Sequence, residues 1–507
     1  MASICILISI VFYLLFMVGV GLWYTRRNTS ADDFYLGGRK LGPYVTAMSA
    51  EASDMSSWLL MGLPGLAFFN GLADPFWTAA GLALGTYLNW LLVAKRLRRY
   101  SAELGAITVP EFFTKRFGDR RRLLQGLAAL VILVFFVPYT ASGFAACGKL
   151  FSTLFGWDYV LCMAVSAVII VGYTVLGGFW AASVTDLIQS VIMTVALAAV
   201  LVFGVSSAGG MGAVLDNAGR VAGYLRLDAM GNVLTGETVS YGLLTIVSTM
   251  AWGLGYFGMP HILVRFMAIR DENELKLSRR IASIWVVISM TVAICIGMIG
   301  YGVSKAGRIP MLEGSASETV IVKIADLLSS YGIIPAVIAG LILAGILAAT
   351  MSTADSQLLS AASAFSENML QDVFGVKLTA KQTMLVARLT VIVIAVIAAF
   401  LATDPNSSVF QIVSFAWAGF GATFGPAILF ALFWRRSNRQ GILAGLVAGG
   451  VMVFVWKFCV RPMGGAWNVY ELLPAFIVAS VVIVVVSLLT EKPDASIEKT
   501  FDEVNAM

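Results

Sequence analysis

The chain has 507 residues, 59 % hydrophobic and only 12 % charged, with a net charge of +5. A water-soluble globule carries roughly 25 % charged residues, and a disordered chain would be poor in apolar ones. An outer-membrane barrel would alternate apolar and polar positions instead of running apolar for about 20 residues at a time. What remains is an all-α polytopic membrane protein. Its basic residues lie in short loops between apolar runs, as topology determinants do, and do not read as a nucleic-acid surface. The five cysteines lie in apolar runs with no paired or metal-like spacing and read as small core residues.

Thirteen stretches are apolar for long enough to span a bilayer. The first, 4–24, lacks a basic leader and is too long for a cleaved signal, so it is expected to stay. Then come 44–69, 76–94, 123–150, 159–176 and 187–205, a polar loop at 207–238, and 239–266, 281–303, 333–365, 384–401 and 409–434. The last two are 442–458 and 470–489, followed by a charged tail, 490–507, expected to be loose. The segments 110–122 and 318–330 read as surface helices. With the N-terminus outside, 26 of the 34 Lys and Arg face the cytoplasm, so the C-terminus is expected there too.

Two stretches look interrupted. The second holds "SAEASDMSSWLLMGLPG", with Glu51 and Asp54 among small residues, and the seventh holds "AWGLGYFGMPH", with Gly253, Gly255, Gly258 and Pro260. Each heads a block of five stretches, 44–206 and 239–434, leaving 1–43 before them and 435–489 after. Five is odd, so the second block is inverted relative to the first. Paired broken helices heading inverted repeats point to a transporter's central site.

A charge inside a span costs at least about 2.5–3.5 kcal/mol, so each one demands a partner or a cavity. Asp54 has two readings: an acid bonded to N–H groups freed at the helix break, or negative potential for a cation held there. Glu51, one turn earlier, reads as structural or gating. The ninth stretch gathers Ser352, Thr353, Asp355, Ser356 and Gln357 in "MSTADSQLL". A lone helical serine usually bonds back to the carbonyl four residues earlier. Adjacent hydroxyls facing a broken helix are different, because a hard alkali cation wants about five or six oxygens. Carbonyls freed at Ala52 and Met55, with the hydroxyls of Ser352 and Thr353, would supply them. None of these titrates near neutrality, so the set suits Na⁺ better than H⁺. Asp186, in "SVTDLIQS", reads as a helix N-cap or, with Asp355 and Ser356, as a second polar focus for a cation.

Most Trp and Tyr in such a chain serve packing or interfacial belts. Trp252 and Tyr256 stand out because they are four apart in the glycine-rich break, on one helical face. An aromatic wall suits an apolar ring, and helix-break dipoles suit a carboxylate. His261, the single histidine, reads as a packing or capping residue ahead of a proton relay.

Together "FYLGGRKLGP", "SAEASDMSSWLLMGLPG", "GGFWAASVTDLIQS", "AWGLGYFGMPHILVRFMA", "MSTADSQLL" and "SFAWAGFGATFGP" carry a resemblance. Running from Phe34 to Pro426, they make the chain similar to the sodium/solute symporter family, and two of them point to its proline-transporting branch. The resemblance implies the leucine-transporter fold, a 5+5 inverted repeat with one extra helix before and two after. It implies a sodium site of the Ala52, Met55 and Ala349 carbonyls with the Ser352 and Thr353 hydroxyls, and Asp54 as the nearby sodium-linked acid. It implies a proline pocket drawing on Trp58, Tyr139, Trp252, Tyr256 and Pro260, and Arg39 in the cytoplasmic gate. Two departures stand out: Glu51 and Ser57 replace small residues of some relatives, and Met259 stands where Gln is common.

The expected function is Na⁺-coupled uptake of L-proline across the plasma membrane by alternating access. The chain is expected to meet lipid but no nucleic acid and no obligatory protein partner. The alternatives are another small amino acid or a pantothenate-like carboxylate as solute. A membrane sensor would need a signalling domain for which the residues after Leu489 leave no room, and an enzyme would need a cluster of reactive groups that one histidine does not suggest.

Overall fold

A computed structural model of the chain describes residues 1–25 and 35–506. Arg26, Arg27, Phe34 and Met507, which fall in the basic loop, the first motif and the tail, lie outside the described residues. Among the described residues ten helices are long and apolar enough to cross a membrane, and shorter apolar helices occupy Trp58–Asn70, Tyr159–Val175 and Leu243–Gly258. Among the described residues the strands are those of one small hairpin, Ala229–Gly231 paired antiparallel with Thr238–Ser240.

The second stretch is broken where its sequence suggests. Pro43 opens the helix Pro43–Asp54 at a position where a missing N–H costs nothing. Met55, at φ −75° and ψ 67°, leaves the helix. The Ser56 N–H turns back to the Asp54 carbonyl at 2.8 Å, which releases the Ala52 carbonyl from the helical ladder. A wide turn at Trp58–Gly62 and the helix Leu63–Asn70 then resume the path.

The seventh stretch runs as the helix Leu243–Met250, a tighter 3₁₀ segment Ala251–Gly258, an extended Met259 and the helix Pro260–Ala268. Its glycines do more than weaken a helix. A Cβ on Gly85 would lie 2.2 Å from the Gly253 carbonyl oxygen, and one on Gly81 2.4 Å from that of Met250. Gly81 and Gly85, four apart on the helix Ala73–Leu88, therefore let that helix touch the 3₁₀ segment backbone to backbone, as small residues do between membrane helices.

The basic loops meet at one end of the bundle. Arg98 donates to the Ile269 carbonyl at 2.7 Å, Arg99 pairs with Glu272 at 2.5 Å, and Arg439 pairs with Asp119 at 3.3 Å. At the opposite end a buried ion pair joins Lys149 to Glu318 at 2.7 Å. Glu318 also accepts from the Ser408 hydroxyl and from the N–H groups of Val409 and Phe410, capping the helix Val409–Phe433. The two segments expected on the surface are half sunk into the bundle: Phe112, Phe113 and Arg116 are buried in one, and Val320, Ile321 and Ile324 in the other.

The tail is not loose. It forms the helix Ala495–Ala506, with Phe501 and Val504 buried. Phe501 meets the Tyr100 ring edge-on at 6.4 Å, the Arg116 guanidinium lies 5.0 Å over Phe501, and Arg435 pairs with Glu498 and Asp502. The spacing of Phe501 and Val504 lays them on one helical face, which the high charge of the segment conceals.

Candidate functional site

The released Ala52 carbonyl faces the long helix Ile333–Ser363. The Ser352 hydroxyl donates to it at 2.7 Å and lies 3.1 Å from the Ala349 carbonyl, while the Thr353 hydroxyl is 3.2 Å from that same carbonyl. Four of the five expected oxygens thus lie in one buried place, and Met55 stands at the break beside them. All are uncharged hard donors, a set suited to an alkali cation. Each hydroxyl now donates to a carbonyl, and rotating its O–H away would turn a lone pair inward.

Asp54 closes the helix and is fully buried. The Tyr256 hydroxyl donates to its Oδ2, and among the described residues no backbone N–H reaches the carboxylate. That weighs against the reading of Asp54 as a cap for freed N–H groups. Its own carbonyl accepts from the Trp58 indole at 3.1 Å and the Tyr139 hydroxyl at 3.4 Å. Trp252 adds its ring 6.3 Å from that of Trp58, stacks on Tyr470 at 5.3 Å and accepts through its carbonyl from the Trp417 indole at 2.8 Å. Tyr256 in turn meets Trp417 edge-on at 5.1 Å. Of the five expected solute residues, Trp58, Tyr139 and Tyr256 therefore bond to Asp54, and Trp252 joins them through the Trp58 ring. Pro260 lies elsewhere, in a narrow cleft with Arg265 and Ser356.

Asp186 lies within the helix Phe179–Ser207, whose N-cap is Gly178, so it caps nothing. It pairs with Arg265 at 3.2 Å, and both are buried. Arg265 also donates to Ser356 at 2.5 Å, to Ser49 at 3.0 Å and to the His261 carbonyl at 2.7 Å. The Ser49 hydroxyl donates to Asp186 at 2.6 Å, and the Ser356 hydroxyl lies 3.4 Å from Asp355 Oδ1. The expected acidic focus thus already holds a positive charge from within the chain. Arg265 escapes a reading by sequence because it ends an apolar stretch and passes for one more loop cation. His261 packs between Phe136 and Tyr139, at ring distances of 5.6 and 6.4 Å.

Access differs at the two ends. Opposite the basic loops, two adjoining hollows of about 560 and 580 Å³ share Leu66, Asn70, Phe410 and Gln411. Phe410, which lines both, lies 5.2 Å from the Trp252 ring, so the aromatic group borders them. The cleft at Pro260 measures about 30 Å³, room for about one water. Nearby, Arg39 binds the carbonyls of Met267 at 2.7 Å, Ser101 at 3.0 Å and Ala106 at 2.6 Å, stapling three segments.

A family model described as the sodium:solute symporter family matches residues 34–449. The chain is 40 % identical over 492 residues to the osmoregulated proline transporter of Bacillus subtilis, covering 97 % of this chain and 96 % of that protein. It is 43 % identical over 495 residues to the sodium/proline symporter of Haemophilus influenzae, covering 96 % and 94 %. With that of Escherichia coli it shares 40 % over 504 residues, covering 99 % and 96 %. Among solved structures it is similar to a Na⁺-coupled sialic acid symporter in a substrate-bound outward-open state, with a TM-score of 0.77 at 17 % identity, covering 97 % of this chain and 99 % of that one. A nucleobase-cation-symport transporter in a closed conformation gives a TM-score of 0.53 at 15 % identity, covering 93 % and 98 %. At such identities the structures speak for the fold alone, an inverted-repeat helical bundle of the leucine-transporter type.

Proposed function

This chain belongs to the sodium:solute symporter family, and from that premise we propose that it carries L-proline into the cell together with Na⁺ by alternating access. The observation that carries the reading is the pair of hydroxyls, Ser352 and Thr353, facing the Ala52 and Ala349 carbonyls at a broken helix. Na⁺ held there would brace the Pro43–Asp54 helix against the Ile333–Ser363 helix. The solute would lie among Trp58, Tyr139, Trp252 and Tyr256, where rings suit a pyrrolidine and the helix breaks suit its carboxylate. Proline as the solute is supported by the names of the relatives above. The repeats would be 44–206 and 239–434, and the three shorter apolar helices would complete thirteen spans. The basic end would be cytoplasmic, with Arg39 in its gate and both hollows opening outside. Asp186, Asp355 and Ser356 are read as the internal partners of Arg265.

The energetics suffice. Moving one charge through about 100 mV yields about 2.3 kcal/mol, and a roughly tenfold Na⁺ gradient adds about 1.4 kcal/mol. Together they support several hundredfold accumulation of a neutral zwitterion. The deciding experiment is uptake of radiolabelled proline into proteoliposomes with and without an inward Na⁺ gradient, against a panel of competitors. Uptake indifferent to Na⁺ would overturn the coupling, and competition by pantothenate but not by proline would overturn the solute.

Two variants probe the halves of the site. Ser352→Ala or Thr353→Ala removes one ligand oxygen and is expected to raise the half-saturating Na⁺ concentration about tenfold, the equivalent of one modest polar contact. Unchanged Na⁺ dependence in both would sink the ion site. Trp252→Ala is expected to weaken proline binding at saturating Na⁺, since the lost ring walls the chamber; a change confined to Na⁺ affinity would show that the chamber is misplaced.

A further inference from the structure

The short helix Val109–Arg116 has a different neighbour at each end. At its start, Val109 and Pro110, with Ile107 and Thr108 before them, line the narrow cleft at Pro260. That run begins one residue past Ala106, whose carbonyl Arg39 holds. At its other end, Arg116 and Gly118 seat the tail helix Ala495–Ala506. Ile497, Phe501 and Val504 share one face of the tail helix. The Arg116 guanidinium lies over Phe501, and a Cβ on Gly118 would lie 2.9 Å from the end of the Ile497 side chain.

Two forces hold the tail, and both are weak. Arg116 is 1 % exposed; its Nε donates to the Ala431 carbonyl at 3.0 Å, while both terminal nitrogens are buried without a hydrogen-bond partner. Its charge faces the rings of Tyr100, Phe117 and Phe501 at 5.2, 4.8 and 5.0 Å. A guanidinium in that state regains water when its cover lifts, which offsets part of the cost of exposing Phe501 and Val504. The second hold is electrostatic and stands in solvent. Arg435, half-exposed, pairs with Glu498 at 3.0 Å and Asp502 at 2.9 Å, and pairs this open weaken with salt. The Asn438 amide meanwhile fixes the root of the tail, donating to the Thr490 hydroxyl and the Glu491 carbonyl at 2.7 Å each. Residues 492–494 beyond that root border a polar gap of about 160 Å³, so the helix can leave its seat while the root stays in place.

We propose that the tail helix is a latch on the cleft at Pro260. Docked, it holds the helix Val109–Arg116 against the bundle and the cleft stays shut. Rising ionic strength at the basic end loosens the Arg435 pairs, frees the tail and lets the cleft open. This goes beyond the symport reading and depends on neither solute nor ion.

Ser360, half-buried in the cleft wall, supplies the readout. The Ser360→Cys protein, full length in lipid nanodiscs, is treated with N-ethylmaleimide in the absence of Na⁺ and proline, and modification at that position is followed by peptide mass. Between about 0.05 and 0.5 M choline chloride its rate, normalised to that of the unfolded chain, is expected to rise about threefold. Removing residues 495–507 is expected to give the fast rate already at low salt, with no further rise. Arg435→Gln should do the same, and it serves where the shortened chain does not fold. Other pairs at this end also feel salt, Arg99 with Glu272 among them, so the variants decide. A variant modified no faster than the full chain at low salt, or one that still responds to salt, overturns the latch. So does a full-length rate that ignores salt. Because Na⁺ and proline are absent, a failed latch leaves the symport reading standing, and absent proline uptake leaves the latch standing.

Discussion

Asp54→Asn is expected to raise the Na⁺ concentration that half-saturates proline uptake about a hundredfold. Asn keeps the shape and still offers Tyr256 an acceptor, so the aromatic chamber should hold. What it removes is the charge. A carboxylate within about 6 Å of a cation, at an effective dielectric near 20, is worth roughly 3 kcal/mol. The absence of backbone donors on this carboxylate among the described residues makes the electrostatic role the larger one. Asp54→Glu, where accommodated, should retain part of the coupling. Sodium titrations of uptake, normalised to transporter amount, decide the matter: a shift below about threefold rejects the role.

The second large effect belongs to stability. Arg265→Met leaves Asp186 buried beside Asp355 with its positive partner gone. Breaking such a pair from one side costs about 3–5 kcal/mol, a large share of the roughly 5–15 kcal/mol that keeps a domain folded. The variant should therefore unfold at a markedly lower temperature in detergent and reach the membrane in small amounts. Adding Asp186→Leu should restore much of the loss, because replacing both partners of a buried pair with apolar groups is often neutral. A single variant as stable as the wild type would show that the pair does not hold the helices Phe179–Ser207 and Pro260–Ala268 together. A double variant less stable than the single would show the same.

The parts of this molecule that were legible in its sequence are those signalled by one residue type at one place. Apolar length marks the spans, Pro260 marks where the broken seventh stretch resumes its helix, and Ser352 beside Thr353 is conspicuous in an apolar helix. Arg265 was hidden because a cation at the edge of an apolar run looks the same whether it meets water or a buried acid. Phe410, Trp417 and Tyr470 were hidden for a related reason: an aromatic residue in a span carries no mark saying whether it faces lipid or a chamber. The tail was misjudged because its charge outweighed the spacing of Phe501 and Val504.

The glycine contact between the helix Ala73–Leu88 and the Ala251–Gly258 segment also constrains motion. A Cβ on Gly253 would lie 2.2 Å from the Gly81 carbonyl oxygen, so the two backbones mesh with no side chain between them to act as a bearing. Sliding by even a fraction of a residue would bring neighbours that carry side chains into that gap. Interiors this tight shift between discrete arrangements and do not deform continuously. The two elements must therefore travel as one rigid body, carrying Trp252 and Tyr256 with them. Hinging falls to the ends of that body, at Gly242 and at the extended Met259, where the chain leaves the helical conformation.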